Sequence, residues 1–150
     1  MAREGIFLMN DFYKKFTIGI EEEYMICDPK SGKLVDKASF IMNHFKDTFP
    51  ERFSFELIEA EIESNTSVHY EIRNAIKELS MLRLELQNLG RDNDFCLGIS
   101  GTHPTAKPSD QQFIKNESYD WVSNQLGYYA KRNMTFSTHM HITIPDFEKS

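Results

Sequence analysis

Three stretches of this sequence gather side chains that can hold a cation. Glu21, Glu22 and Glu23 are consecutive; Glu56, Glu59, Glu61 and Glu63 lie close together; His139 and His141 are one position apart. On a β-strand, side chains alternate between faces. In residues 16–27 this puts Thr17, Gly19, Glu21, Glu23 and Met25 on one face, and Phe16, Ile18, Ile20, Tyr24 and Ile26 on the other. Glutamate is depleted in strands, and two carboxylates about 6 Å apart repel by ~3 kcal/mol at an effective dielectric of about 20. A divalent cation shared by Glu21 and Glu23 would remove that repulsion. The other reading is an edge strand whose acidic face meets water.

The histidines lie in 135–145, where Thr135, Ser137, His139, His141 and Thr143 alternate with Phe136, Thr138, Met140, Ile142 and Ile144. Glu21, Glu23, Glu63 and His139 could converge on one sheet face. Oxygen ligands suit Mg²⁺ or Mn²⁺, and an imidazole favours Mn²⁺, whereas no thiolate cluster is present for a structural zinc. No glycine-rich phosphate loop follows a strand, so a nucleotide would be held through metal bridges. His103, after Gly101 and Thr102, and Arg73 are the candidate catalytic residues. Their plainer readings are a turn for His103 and a solvated helix face for Arg73.

The elements that must position these groups read as α+β, an antiparallel sheet with helices on one face. Residues 1–15 form a lead-in. Strand 16–27 is followed by the turn Asp28-Pro29-Lys30-Ser31-Gly32, with 33–35 returning as a hairpin partner. A short helix over 39–49 places Ile41, Met42, Phe45 and Phe49 on one stripe before Pro50. Residues 53–62 read as one acidic strand whose apolar parity switches midway, as at a β-bulge; alternation does not tell which of its glutamates face inward. A long helix from Val68 to Leu89, capped by Ser67 and stopped at Gly90, precedes a short strand at 95–99. A second helix is expected over 119–132.

The chain has 150 residues and carries a formal charge of −6, with no basic run to track phosphates, which argues against nucleic acid. The apolar run at 5–9 is too short to span a bilayer, so a cytoplasmic protein with no membrane contact is expected. Cys27 and Cys96, without metal spacing, read as free buried thiols.

Taken together, Gly19-Ile20-Glu21-Glu22-Glu23, Asp28-Pro29 with Gly32, Glu63-x-x-Thr66, Gly101-Thr102-His103-Pro104 and His139-x-His141 resemble, in that order, the carboxylate–amine ligase family, the type 2 glutamate–cysteine ligases. The resemblance covers 16–146. It implies a glutamine synthetase-like antiparallel sheet whose concave face is the active site. It also implies an ATP-dependent reaction in which the γ-carboxylate of glutamate becomes an acyl phosphate, and the amine of cysteine or a similar compound displaces phosphate. By similarity Glu21, Glu23, Glu63 and His139 are metal ligands, Glu56 is a weaker match, and His141 is assigned to cofactor binding. The implied cofactors are ATP with Mg²⁺ or Mn²⁺; the partners are glutamate and an amine, with a homo-oligomer left open. Thr105 and Lys107-Pro108 stand where the family has an aromatic residue, and Thr138 stands where it has glycine. The chain ends soon after the histidines, so 16–150 is expected to be the N-terminal part of a truncated ligase catalytic domain, inactive alone. Competing readings are a metal-dependent hydrolase and a non-catalytic metal- or amino-acid-binding remnant.

Overall fold

A computed structural model describes residues 16–114 and 134–144. The expected lead-in at 1–15 and the helix at 119–132 lie outside them.

Strand β1 (Thr17–Cys27) is the centre of a five-stranded antiparallel sheet. On one side it pairs with β3 (Glu61–Asn65), which pairs in turn with β2 (Phe53–Phe55). Its other side is shared by β4 (Cys96–Gly98) at the Cys27 end and β5 (Thr138–Thr143) at the Thr17 end. The even-numbered side chains of β1 meet two helices, α1 (Ala38–Phe45) and α2 (Ile72–Asp92). Tyr24 and Ile26 pack with Ile41, Phe45, Leu82, Leu86 and Leu89, while Ile20 packs with Ala75 and Leu79. The fold class is the expected one, with helices on one face and acids on the other.

Several local expectations change. The 53–62 segment is not one bulged strand but two, β2 and β3, joined by a turn, so the parity switch marks a reversal of the chain. Within that turn Ile58 is buried and bridges Phe113, which gives it an apolar role outside either strand. Helix α1 ends at Phe45, although Phe49 still packs edge-on against it with ring centroids 5.5 Å apart. Residues 33–35 make a single bridge, Cys27 to Leu34, instead of a paired strand. Helix α2 begins at Ile72: Val68 lies outside it, 71% exposed, because His69 instead bridges Ile18 of β1. Ser67 is no cap; its backbone N–H and hydroxyl donate to Glu78 within α2. Gly90 lies inside the helix, and a Cβ there would sit 2.6 Å from the Phe95 carbonyl, so its role is close approach. Cys27 and Cys96 are free and directly opposed, but only Cys27 is buried because β4 is short and lies at the sheet edge.

Alternation in β5 holds only from Thr138. Phe136 packs with Met25, Cys27 and Ile58 on the acid side, on the same side as Ser137, because 134–137 approach as an irregular segment. Half of the acid face is thus covered by a small second core, and the stretch from Thr17 to Glu23 is left for chemistry.

Candidate metal centre

The register of the sheet assembles the site. Glu21 is opposite His139 on β5 and Asn65 on β3; Glu23 is opposite Glu63 on β3. Directly opposed residues in an antiparallel pair share a face, so all these side chains project together. Two groups result. Glu21, Glu63 and His139 can offer one ligand atom each with all atoms within 4.8 Å of one another, and so can Glu23, Glu56 and Glu63. Glu63 belongs to both.

Supporting contacts fix several of these side chains. Ser137 donates its backbone N–H (2.6 Å) and hydroxyl (2.9 Å) to Glu23 Oε2, and its hydroxyl oxygen also lies 2.9 Å from His139 Nε2. Ser54 donates to Glu63 Oε1 at 2.7 Å and accepts from the Asn65 amide at 2.6 Å. His139 Nδ1 lies 3.3 Å from Glu21, and His141 Nε2 lies 2.9 Å from the same carboxylate. Hydrogen bonding of this kind orients metal ligands and holds their rotamers.

Burial makes the cluster costly without a cation. Glu23 and Glu61 are buried, and Glu56 and Glu63 are half-buried. Burial, reinforced by the charges of Glu63, Glu23 and Glu21, pushes the Glu56 carboxyl up to about 8. Burial and the charges of Glu56, Glu23 and Glu63 push Glu61 up to about 9. Without metal these two hold protons at neutral pH; a divalent ion could replace that positive charge. An oxygen-rich donor set with one imidazole fits Mg²⁺ or Mn²⁺.

The middle glutamate of the triplet does something else. Glu22 faces the helices, where Arg83 of α2 donates to both its oxygens at 2.7 and 2.8 Å and the Tyr24 hydroxyl donates to Oε2. Burial, and next the hydrogen bond to Glu22, raises the Tyr24 hydroxyl to about 12, so it stays a neutral donor.

The remaining sequence candidates divide. Glu56 joins the cluster directly and Glu61 lies beside it, whereas Glu59 turns away and accepts from the Ser39 N–H and hydroxyl at the start of α1. His103 belongs to neither group. Its Nδ1 accepts from the N–H groups of Thr105 and Ala106, leaving the proton on Nε2, which donates to the Gly32 carbonyl at 2.8 Å. Arg73 is exposed in the first turn of α2, on the helix side of the sheet. Sequence reasoning missed Ser137; its signal was its place two residues before His139 on the same polar face.

Fold and site together define an antiparallel α+β domain carrying a cation-suited acidic face. The glutamate–cysteine ligase family 2 model matches residues 17–150, and the chain belongs to that family. Relatives carrying the name "Putative glutamate–cysteine ligase 2" include two from Rubrobacter xylanophilus, 37% identical over 89% of this chain and 31% over 90%, and one from Solibacter usitatus, 32% over 94%. The chain spans 34%, 36% and 37% of their respective lengths. A bifunctional glutathione synthetase from Pasteurella multocida shares the fold, with a TM-score of 0.60 at 10% identity over 96% of this chain and 19% of that one. Among the described residues, no helix is long and apolar enough to cross a membrane.

Proposed function

We propose that this chain supplies the metal-binding part of an ATP-dependent carboxylate–amine ligase acting in the cytoplasm. The reaction joins the γ-carboxylate of glutamate to the amine of cysteine or a similar compound through an acyl phosphate. Residues 16–150 are the N-terminal part of its catalytic domain. The observation that carries the reading is the pair of acidic groups sharing Glu63, an arrangement suited to two adjacent ions. Glu21, Glu63 and His139 would hold one Mg²⁺ or Mn²⁺, and Glu23, Glu56 and Glu63 the other. Such ions supply charge neutralisation to the phosphates and acyl oxygen during phosphoryl transfer.

The protein's own part is positional. Ser137 holds Glu23 and His139 in one arrangement, and Ser54 holds Glu63, so the ligands need little reorganisation. His103 fastens the 101–106 turn to the Gly32 turn. It acts in this reading as a brace, and Arg73 has no step.

The test is a coupled ADP assay on the complete gene product, with Mg²⁺ or Mn²⁺, glutamate and a panel of amines. ADP should form only when metal, ATP, glutamate and a suitable amine are all present. No ADP with any amine sinks the ligase; metal-dependent hydrolysis without ATP consumption would favour the hydrolase. The 150-residue chain purified alone should form no amide, because positioning of the ions and substrates requires the rest of the domain.

A further inference from the structure

At the Cys27 end of β1, residues 33–36 and the loop 103–111 face each other across a cleft of about 490 Å³ that includes none of the acidic ligands. Both walls are fixed. The first is held by the Cys27–Leu34 bridge and by the preceding turn, where the Asp28 carboxylate accepts from the Ser31 N–H at 2.6 Å and hydroxyl at 2.7 Å. The second is held by a short 3₁₀ turn, Pro108–Asp110, and by the Gln111 side-chain amide, which donates to the Lys107 carbonyl at 3.1 Å. His103 ties the two walls together through the Gly32 carbonyl.

The lining selects the ligand's chemistry. Each wall offers one cation and one anion, Lys33 with Asp36 and Lys107 with Asp110. Neither lysine ammonium nor the Asp36 carboxylate has a hydrogen bond or ion pair with another described residue, and the Asp110 carboxylate accepts only from the neighbouring Ser109 hydroxyl, at 2.9 Å. Burial, and next the charge of Glu59, push the Asp36 carboxyl up, so a cation beside it would be favoured. The four charges cancel, and a nucleotide or other polyanion would be repelled by both aspartates. Unpaired groups of both signs call instead for a neutral molecule carrying both, an ammonium for the aspartates and a carboxylate for the lysines. On each wall lysine and aspartate are three residues apart, so the ligand's charges must be separated, as at the two ends of a dipeptide, and not joined to one carbon. Leu34 and Ala106, which pack on the second core, add an apolar strip for small side chains. The volume lies within the range of small-molecule sites, about 300–1,000 Å³.

We infer that this cleft is a ligand site separate from the metal centre, taking an uncapped, electrically neutral dipeptide or a zwitterion of that length, with Lys33 and Lys107 receiving its carboxylate and Asp36 and Asp110 its ammonium. No residue of the acid cluster takes part, so the inference does not depend on the ligase reading. His103 holds the walls at their spacing and leaves ligand recognition to the four charged side chains, since both its ring nitrogens are already engaged.

The test is isothermal titration of the complete gene product with alanyl-alanine, N-acetyl-alanyl-alanine and alanyl-alanine amide. Alanyl-alanine should bind with a Kd of about 1 mM or below. Each capped form lacks one charged end and should bind at least about tenfold more weakly. Lys107→Gln and Asp36→Asn should each weaken alanyl-alanine at least about fivefold while leaving Mn²⁺ affinity within about twofold. No binding of alanyl-alanine at about ten times that concentration overturns the inference, as does equal binding of the capped and uncapped forms. Those two arms need no variant to fold. Alanyl-alanine binding that survives both substitutions also overturns it, because the peptide would then be held elsewhere on the protein.

Discussion

Without divalent cations, the protein's stability should fall as pH rises from about 5 to about 9, and cations should offset the fall. Glu56 and Glu61 lose their protons near 4.5 when unfolded but near 8 and 9, respectively, when folded. Between those limits the folded state holds more protons than the unfolded one, so the free energy of unfolding decreases with pH. The contribution is complete below 4.5 and lost as pH passes through the folded values. For Glu61 the displacement corresponds to on the order of 5 kcal/mol; relaxation and water entry around this open face reduce the contribution of the cluster to about 2–3 kcal/mol. At this chain length that lowers the melting temperature by about 5–10 °C. A cation at a hundredfold excess over its Kd returns about 2.7 kcal/mol, and more at high pH than at low pH because it displaces protons. Thermal melts at pH 6 and 8.5, in chelator and in excess Mn²⁺, measure both effects, and Glu61→Gln should flatten the metal-free slope. A metal-free melting temperature that rises with pH, or a Mn²⁺ shift equal at both pH values, would refute the reasoning.

Glu21→Gln and Glu23→Gln should each weaken Mn²⁺ binding and lower turnover by on the order of a hundredfold, whereas Glu22→Gln should leave Mn²⁺ affinity near normal and destabilise the fold by about 2–4 kcal/mol through Arg83. Equal responses in metal titrations and melts would mean that the three carboxylates simply line a solvated edge. Ser137→Ala should cost about tenfold in Mn²⁺ affinity with little change in melting temperature, because the hydroxyl that links Glu23 to His139 is lost while the backbone N–H still holds Glu23; titration of the purified variant checks this. Gly90→Ala should destabilise by about 1–3 kcal/mol despite alanine's better helix propensity, since its methyl meets the Phe95 carbonyl; a denaturant midpoint at or above that of the parent would contradict the packing argument.

The acidic face was legible because β1 obeys a two-residue period along its whole length. Glu21 and Glu23 could therefore be assigned to one face from order alone, and the register with β3 and β5 adds Glu63 and His139. Alternation fails where the chain leaves regular structure. It could not show that 53–62 reverses direction, that Glu56 swings into the cluster from a turn, or that Phe136 crosses to the acid side. It also mistook the start of α2, because Val68 and Ile72 continue the helical stripe although the chain there is drawn toward β1 by the His69–Ile18 bridge. In each case a long-range contact overrode a local period.

Three consecutive glutamates also pose a register problem that alternation cannot solve. A slip of one residue would turn Glu22 onto the acid face and send Glu21 and Glu23 toward the helices, and the local sequence there, Glu-Glu-Glu, offers little resistance. The discrimination must come from the other face. There, Arg83 and the Tyr24 hydroxyl converge on the one carboxylate at position 22, beneath Leu82 and Leu86 of the same helix. In a slipped strand Glu21 or Glu23 would take the place of Glu22 before Arg83, but Tyr24 and Ile26 would leave the core and the Tyr24 hydroxyl would leave that carboxylate. Expelling two fully buried side chains costs about 3–6 kcal/mol, so Tyr24 and Ile26 specify the register, and the Tyr24 hydroxyl makes Glu22 the carboxylate that Arg83 shares with it. The helix side of the sheet thereby determines which two of the three glutamates are offered to a cation on the opposite side.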